Sequence, residues 1–209
     1  MTSAIRTPRT PEETRQKLVS ATRQLVLQQG LNGTGVDLIC STAGVTKGAF
    51  FHHFKSKDEI AKAALADWAN FGMALYAAAV AEPARYPLDH LHKFFDIMIG
   101  FVRDADSPVT CVVGMISQEM ALANPALRET CSTYLTDWAD FARHLLTEAR
   151  AAQKPRVDFD VEEVAWFLNS LWQGSMLIAK TRGTPEMTIA NIRRARAYVD
   201  DLFGEPAKA

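Results

Sequence analysis

Helix-capping signals recur along the whole chain, and they restrict its fold more than any other feature of the sequence. The first signal, Thr10-Pro11-Glu12-Glu13, combines an N-cap hydroxyl, a proline at the first helical position and a glutamate three residues after the cap. Ser56-Lys57-Asp58-Glu59 and Asp160-Val161-Glu162-Glu163 are similar, and Gly30 and Gly44 supply left-handed stops after helices. The alternation of apolar and polar residues that is typical of β-strands is almost absent. The sequence therefore predicts an all-α protein of about nine helices.

The predicted helices divide the chain into two parts. Three of them fall within the first 57 residues, and two of these three are only about two turns long, whereas the later ones are mostly longer and rich in large apolar side chains. We therefore predict a head at residues 1–57 and a body at residues 58–209, with a break at Asp106-Ser107-Pro108. The predicted helices span about 11–29, 36–43, 46–53, 57–81, 88–103, 110–123, 125–152, 161–183 and 185–204.

The second and third predicted helices are joined by Ala43-Gly44-Val45-Thr46. Helices this short pack poorly side by side, but they can cross steeply over the first helix and leave the third projecting from the surface. Gly44 tolerates the positive φ of a sharp turn, and Thr46 can cap the third helix with its N-terminal amides near phosphates. This pattern predicts a helix-turn-helix, the arrangement that fits the DNA major groove.

The charge distribution agrees with a chain that meets nucleic acid at one end. The formal net charge is -1, but residues 1–60 carry 8 Lys and Arg against 5 Asp and Glu, a local +3. Residues 61–209 carry 15 against 19, a local -4. A mildly basic head on an acidic body is typical of such a protein. No apolar run approaches the roughly 20 residues that span a bilayer, and residues 1–11 lack a secretion signal, so we expect a cytoplasmic protein without a membrane partner.

The segment from Val45 to Lys57 resembles the signature of the TetR family of transcriptional regulators. Its residues, Val-Thr-Lys-Gly-Ala-Phe-Phe-His-His-Phe-Lys-Ser-Lys, follow the family's turn, aromatic-His-Phe segment and Ser-Lys capping turn, with Gly30 and Thr34 at the family's spacing upstream. The resemblance covers about residues 12–65. Further along, the runs Cys-Val-Val-Gly at 111–114, Ser-Gln-Glu at 117–119, Leu-Trp-Gln-Gly at 171–174 and Ala-Lys at 179–180 resemble landmarks of one large branch of the family's C-terminal domain.

The resemblance implies which residues of the head contact DNA. Lys47 would donate either to guanine or to phosphate, and both options stay open. Phe51 stands where the family usually has a tyrosine that donates to phosphate, and Gly35 stands where it often has Ser or Thr, which leaves Thr34 to make that contact alone. His52 and His53 are expected to contact phosphate. The expected DNA contacts are Thr34, Lys47, Gly48, Ala49, Phe51, His52, His53 and Lys57.

Two pairs of residues in the same segment have simpler structural interpretations. Phe50 and Phe54, four residues apart, share a helix face and are expected in the head core. The adjacent His52 and His53 face different ways and have no acidic or thiol partner nearby in sequence, so we expect no metal and no cofactor.

The body is rich in aromatic and thioether side chains at helical spacing. Each one alone is most simply a core residue, but together they suit a cavity for an apolar or aromatic ligand of moderate size. The resemblance implies that an inducer pocket lies among the middle helices. The expected ligand contacts are Trp68, Phe71, Phe94, Met98, Phe101, Met115, Gln118, Tyr134, Trp138 and Trp172. Polar groups expected to orient a ligand are His92, Gln118, Glu119 and Asn169.

Cys40, Cys111 and Cys131 lie too far apart in sequence for a disulfide framework, and we expect reduced thiols. Cys111 follows the predicted break, where helix-terminal amides can lower a thiol pKa and make the residue a redox or electrophile sensor. The simpler interpretation is a small buried apolar residue.

The last two predicted helices carry broad apolar stripes, with small residues that permit close approach. The resemblance implies a homodimer interface built from two copies of this pair, whereas the arginines at 193, 194 and 196 are interpreted as a solvated face. The expected interface residues are Trp166, Leu171, Ser175, Met176, Ile192 and Val199.

The sequence thus favours a dimeric repressor that leaves a pseudo-palindromic double-stranded operator when a small-molecule effector binds. A second hypothesis is an enzyme that uses the aromatic body as an active site, but no nucleophile elbow, paired metal ligands or phosphate-binding glycine loop supports it. A third is a DNA-binding adaptor whose body binds another protein.

Overall fold

The computed structural model describes residues 10–104 and 110–204, and these ranges form helices, turns and loops without a strand. The all-α class is confirmed. The predicted break at Asp106-Ser107-Pro108 and residues 1–9 lie outside the described residues. The described helices are α1 (Pro11–Gln29), α2 (Val36–Ala43), α3 (Lys47–His53), α4 (Lys57–Ala77), α5 (Asp89–Arg103), α6 (Val112–Met120), α7 (Pro125–Ala152), α8 (Val161–Arg182) and α9 (Glu186–Phe203), with a 3₁₀ turn (Ala78–Val80) after α4.

The N-terminal caps form as the sequence predicts at two of the three sites. The Thr10 hydroxyl accepts from the Glu13 amide at 3.2 Å while the Glu13 carboxylate accepts from the Thr10 amide at 2.9 Å. The Asp160 carboxylate accepts from the amides of Glu162 and Glu163. At α4 the prediction is half right, because Glu59 accepts from the amide of Lys55 rather than from that of Ser56.

The C-terminal stops also differ from one another. Gly44 ends α2 in the left-handed conformation, with φ 64° and ψ 43°. Gly30 ends α1 with φ 79° but ψ 169°, so the expected left-handed stop is wrong there. The chain leaves α1 in an extended direction instead, and only glycine adopts this combination of angles readily.

The head is a three-helix unit with its own core. Phe50 and Phe54 are 0% and 2% exposed, as predicted, and they pack against Leu18 of α1 and Ile39 of α2. Ile60, in the first turn of α4, closes this core from the body side. The packing fixes α3 by one face only, and its other face is left at the surface.

The body is a helical bundle in which α7 packs against α8, α8 against α9, and α5 against α9. A second core joins this bundle to the head. In it, Val26 and Leu31 at the end of α1 are fully buried together with Val112 and Ile116 of α6. The head therefore rests on α6 as well as on α4, and the two parts of the chain share apolar packing.

Candidate functional site

Helix α3 exposes a continuous surface opposite Phe50 and Phe54. Thr46 caps the helix, since its hydroxyl accepts from the Ala49 amide at 3.1 Å. Phe51 is 51% exposed, although its neighbour Phe50 is buried. Lys47 and Phe51 are one helical turn apart, as are Gly48 and His52, so these four residues share the outer face.

The structure places most of the predicted DNA contacts on or beside this face. Lys47, Gly48, Phe51 and His52 are exposed, whereas Ala49, His53 and Lys57 are half-buried. The rings of His52 and His53 lie 5.1 Å apart at a steep angle. We call the surface formed by Lys47, Gly48, Ala49, Phe51 and His52 the α3 face.

Thr34 contradicts the prediction that its hydroxyl contacts phosphate. Its side chain is 0% exposed, and its hydroxyl donates to the backbone carbonyl of Gly30 at 2.6 Å. This bond fixes the loop between α1 and α2. The N-cap of α2 is Gly35, which has no side chain to offer, so neither residue presents a hydroxyl at the start of α2.

Lys47 is paired with a residue that the sequence analysis missed. The Lys47 ammonium lies 2.8 Å from the carboxylate of Asp37, in the first turn of α2, and both side chains are largely exposed. The hydrogen bond to Asp37, and then its negative charge, raise the pKa of Lys47. To make the predicted contact with DNA, Lys47 would have to leave or share Asp37. The positions of Asp37 and Lys47 in the sequence did not indicate that the two side chains would pair.

The link between head and body is a second feature that the sequence did not reveal. The Glu119 carboxylate, near the end of α6, accepts from the backbone amide of Asn32 at 2.7 Å. A Cβ atom on Gly30 would collide with the same carboxylate. Glu119 therefore holds the loop that leads into α2, and it also lines a cavity beside Gln118, where its role in orienting a ligand stays a prediction.

A cavity of about 70 Å³ lies between α4, α5, α7 and α8, next to the start of α6. Six of the ten predicted ligand contacts line it, which brings together side chains from four helices. Those six are Trp68, Phe71, Phe101, Tyr134, Trp138 and Trp172.

The other four predicted contacts lie elsewhere. Phe94 and Met98 are 0% and 2% exposed and belong to the body core; Phe94 packs on the far side of Trp138, at a ring distance of 5.4 Å. Met115 and Gln118 line a neighbouring cavity of about 80 Å³ with Lys180. The two cavities share Cys111, Gln173 and Met176 in their linings.

Two of the polar groups expected to orient a ligand line neither cavity and bond to other helices instead. The His92 imidazole lies 2.6 Å from the carboxylate of Asp200 on α9. The Asn169 amide donates to the Leu135 carbonyl at 2.7 Å and joins α8 to α7. Both are therefore structural contacts between helices.

The cavity also has lining residues that were not predicted. Tyr76 lies on α4, Asp137 on α7, and Gln173 and Met176 on α8. Gln173 belongs to the Leu-Trp-Gln-Gly run at 171–174, which resembles the family's C-terminal domain. This resemblance was the one sequence feature that could have indicated any of these four lining residues. Burial raises the pKa of the Tyr76 hydroxyl, and its interaction with the Trp138 indole opposes that rise.

Cys111 lies at the N-cap of α6 and lines both cavities. It is 7% exposed, and the Gln173 amide lies 3.8 Å from its sulfur. Burial raises the pKa of the other two thiols, Cys40 and Cys131. All three cysteines are free and buried in the structure.

The predicted dimer interface needs correction at four positions. Ser175, Met176, Ile192 and Val199 are at most 2% exposed within a single chain, because they hold α8 against α9. For example, the Asn191 amide on α9 donates to the Ser175 hydroxyl at 2.8 Å. Trp166 is 37% exposed and Leu171 is half-buried. The exposed apolar residues of the two helices are Trp166, Phe167, Leu177, Ile178, Met187 and Tyr198.

The described ranges contain neither a metal-binding cluster nor a membrane-spanning helix. No group of three or more His, Cys, Asp or Glu side chains there is arranged to hold a metal ion. No helix in the same ranges is both long enough and apolar enough to cross a bilayer.

Comparisons with known proteins agree with this architecture. Residues 18–64 match the family model described as bacterial regulatory proteins, tetR family, and residues 87–197 match that of the tetracyclin repressor-like C-terminal domain. The transcriptional regulator AcuR of Cereibacter sphaeroides is 26% identical over 171 residues, 82% of this chain and 78% of AcuR. The transcriptional repressor DhaR of Mycobacterium sp. is 26% identical over 172 residues, 82% of this chain and 84% of DhaR.

The fold also matches solved structures. The crystal structure of the regulatory protein TetR from Rhodobacter sphaeroides superposes with a TM-score of 0.78 at 26% identity. The match covers 87% of this chain and 96% of that one.

Proposed function

Because the chain belongs to the TetR family of DNA-binding transcriptional regulators, we propose that it is a repressor released from its operator by a small apolar or aromatic ligand. The α3 face reads a half-site of a pseudo-palindromic operator. The ligand occupies the cavity lined by Trp68 and Trp172. Residues 1–57 form the DNA-binding domain, and residues 58–209 bind the ligand and form the dimer.

The observation that carries this proposal is that Phe50 is buried whereas its neighbour Phe51 is exposed on the other side of α3. Phe50 anchors α3 in the head core, while Phe51 and Lys47 stand on the outer face. A short helix fixed by one side and bare on the other is what major-groove insertion requires. The Thr46 cap leaves the N-terminal amides of α3 at the surface, where they can approach phosphate.

Two copies of the chain are needed to read a pseudo-palindromic site. We place the dimer seam on the exposed apolar residues of α8 and α9, including Phe167, Ile178 and Tyr198. Their rings and aliphatic groups would otherwise stay in water, which is unfavourable for a contiguous apolar surface. A two-fold axis through this seam sets the two α3 helices about 34 to 36 Å apart, one turn of DNA.

Release follows from the position of the cavity beside α4 and α6, the two helices on which the head rests. Helix α4 carries Trp68 and Tyr76 in its second half and Ile60 of the head core in its first turn. Helix α6 starts at the cavity and ends near Glu119, which holds the loop before α2. A ligand that shifts either helix changes the separation of the two α3 helices, and simultaneous binding of both half-sites is lost.

Covalent modification of Cys111 is a second route to the same release. It is favoured by one observation, which is that this thiol lines both cavities although its residue is buried. A small electrophile that enters the cavity meets this sulfur at the start of α6. The modified side chain is larger, and it displaces α6 as a bound ligand does.

The proposal is tested by competition binding with the purified dimer. Labelled DNA from the promoter region of its own gene is challenged with unlabelled promoter or random DNA at physiological salt. We expect the promoter to compete at least about 1,000-fold better than random DNA, as for specific regulators. Equal competition by the two DNAs contradicts operator recognition.

A further inference from the structure

Four rings on the cavity wall are connected through Phe101, and we call Trp68, Phe71, Phe101 and Trp172 the aromatic cage. The ring centroid of Phe101 lies 6.0 Å from that of Trp68, 6.4 Å from that of Phe71 and 6.3 Å from that of Trp172. Trp68 and Phe71 are themselves 6.0 Å apart. The face of an aromatic ring carries partial negative charge, so a positive group is favoured wherever these rings turn a face to the cavity.

The formal charge on the cavity wall has the same sign. Asp137 lies in the lining at the exposed edge of the cavity, and no Lys, Arg or His lines it among the residues that the structure describes. An anionic ligand would find no cation in this wall and would be repelled by Asp137. A cation would be attracted by both Asp137 and the cage.

The cavity size limits the group that can enter. A water molecule needs about 10–15 Å³ of such volume, so a cavity of about 70 Å³ holds a group of about five non-hydrogen atoms. A nitrogen with three methyl groups and one methylene has this size. It also donates no conventional hydrogen bond, so it is stabilised by ring faces without the acceptors that a primary ammonium group needs.

The Trp138 indole is a polar donor in the wall whose contact with the Tyr76 hydroxyl lacks hydrogen-bond geometry, so it can serve the rest of such a ligand. Trp138 is 8% exposed, and its buried indole nitrogen has no hydrogen-bond partner of acceptable geometry in the described ranges. The neighbouring hydroxyl of Tyr76 lies on the same wall. A hydroxyl or carbonyl oxygen close to the ammonium group would satisfy this donor.

We propose that the effector carries a methylated ammonium group, which binds in the aromatic cage with Asp137 as the nearby counter-charge. This inference rests on the proposed function, because it names the ligand class of the same cavity. It adds a charge, since aromatic content alone predicted only an apolar or aromatic ligand. The cation preference is a property of Phe101 and its three neighbours together.

Three probes of one shape isolate the charge. Choline, its neutral carbon isostere 3,3-dimethylbutan-1-ol and the anion 3,3-dimethylbutanoate are titrated into the full-length dimer, with calorimetry and tryptophan fluorescence as readouts. Trp68, Trp138 and Trp172 line the cavity and should respond. We expect choline to bind at least about tenfold more tightly than the alcohol, and the anion to bind most weakly.

Variants separate the two sources of the preference. Asp137→Asn should weaken choline binding about three- to tenfold and leave the alcohol unchanged, whereas Asp140→Asn, one turn along α7 outside the lining, should change neither. Phe101→Leu should bring choline and the alcohol to nearly equal affinity. If Phe101→Leu lowers thermal stability too far for titration, Phe71→Leu, at a half-exposed ring, replaces it.

The outcomes distinguish this inference from the proposed function. Equal binding of choline and alcohol, tighter binding of the anion, or no choline binding up to about 10 mM overturns the methylated ammonium proposal. Tighter binding of the anion would assign the charge preference to Lys180 of the neighbouring cavity instead. Promoter competition is measured on the same preparation without any ligand, so a protein that selects its promoter but rejects choline refutes only the ligand class.

Discussion

The Glu119 carboxylate accepts a hydrogen bond of 2.7 Å from the backbone amide of Asn32, 87 residues away in the chain. This bond joins the end of α6 to the loop that leads into α2. The same carboxylate occupies the space that a Cβ atom on Gly30 would need. Glu119 is thus the direct polar connection from the helix that starts at the cavity to the helix-turn-helix.

Loss of this connection should weaken allosteric coupling more than DNA binding. In Glu119→Ala the end of α6 no longer holds the α1–α2 loop, so we expect a ligand to change operator affinity about 3- to 10-fold less than in the unaltered protein. Operator affinity is measured by fluorescence anisotropy with and without ligand. Glu129→Ala, at an exposed position of α7, is the control. Unchanged coupling in Glu119→Ala contradicts the role of this bond.

Lys47→Ala should reduce the salt dependence of DNA binding. If Lys47 contacts a phosphate, its removal lowers the slope of log K against log salt concentration by about 0.9 and weakens operator and random DNA alike. If it contacts guanine, the loss is confined to the operator and is about 1 to 3 kcal/mol. Binding is titrated at several salt concentrations. Lys154→Ala, in the loop after α7, is the control, and an effect equal to that of Lys47→Ala contradicts both alternatives.

Phe51→Tyr should tighten DNA binding. Phe51 is 51% exposed on the α3 face, so a hydroxyl added to its ring can donate to a phosphate without disturbing the head core. Hydrogen bonds to charged groups contribute about 1.5 to 3 kcal/mol when fully formed, and we expect a gain of about 3- to 10-fold at this exposed site. Because phosphates carry no sequence information, random DNA should gain equally. A gain limited to the operator would contradict the phosphate contact.

The three thiols should differ in their reaction with small electrophiles. Burial raises the pKa of the Cys40 and Cys131 thiols, so each is almost entirely protonated near pH 7 and reacts slowly. Cys111 lines the cavities and is accessible to a small reagent. Mass spectrometry after brief treatment with iodoacetamide at pH 7 should find Cys111 modified first.

The consequence of that modification is measured separately. Modified protein should release the operator, and Cys111→Ser should remain bound under the same treatment. Labelling of Cys40 or Cys131 before Cys111 would contradict the assignment of the reactive thiol. Release that persists in Cys111→Ser would exclude this thiol as the sensor.

Ile178→Lys should convert the dimer to a monomer. Ile178 is 43% exposed on α8, and a charge buried at a two-fold seam meets its own copy across the axis or loses hydration. Light scattering at about 5 μM protein should show the monomer mass, with operator affinity reduced at least about tenfold because only one half-site is engaged. Val157→Lys, at an equally exposed apolar residue before α8, should remain dimeric. A dimeric Ile178→Lys protein would move the seam elsewhere.

The sequence predicted most helix ends to within two residues because their causes are local, but α4 and α6 end at Ala77 and Met120 rather than near 81 and 123. Thr10, Asp160 and Gly44 act on backbone groups within four residues of themselves, so their effect does not depend on the rest of the fold. The same holds for Phe50 and Phe54, whose separation by one helical turn alone assigns them to one face. Local rules of this kind also sufficed for the class of the protein.

Contacts between distant segments were predicted poorly, and the failures share a reason. The sequence assigned Ile192 and Val199 to the dimer seam, but an apolar stripe does not state whether it packs within a chain or between two chains. The sequence predicted that the Thr34 hydroxyl contacts phosphate near the start of α2, but the geometry of the loop turns it towards the Gly30 carbonyl.

The sequence by itself therefore determined the helices, the helix-turn-helix and the aromatic content of the body. Only the tertiary structure decided that Glu119 reaches Asn32, that Asp37 pairs with Lys47, and which six of ten predicted side chains meet in one cavity. The physical reason is the distance along the chain over which each effect acts. Caps and helical periodicity act within a few residues, whereas the direction in which a side chain points across the bundle depends on how every helix packs on its neighbours.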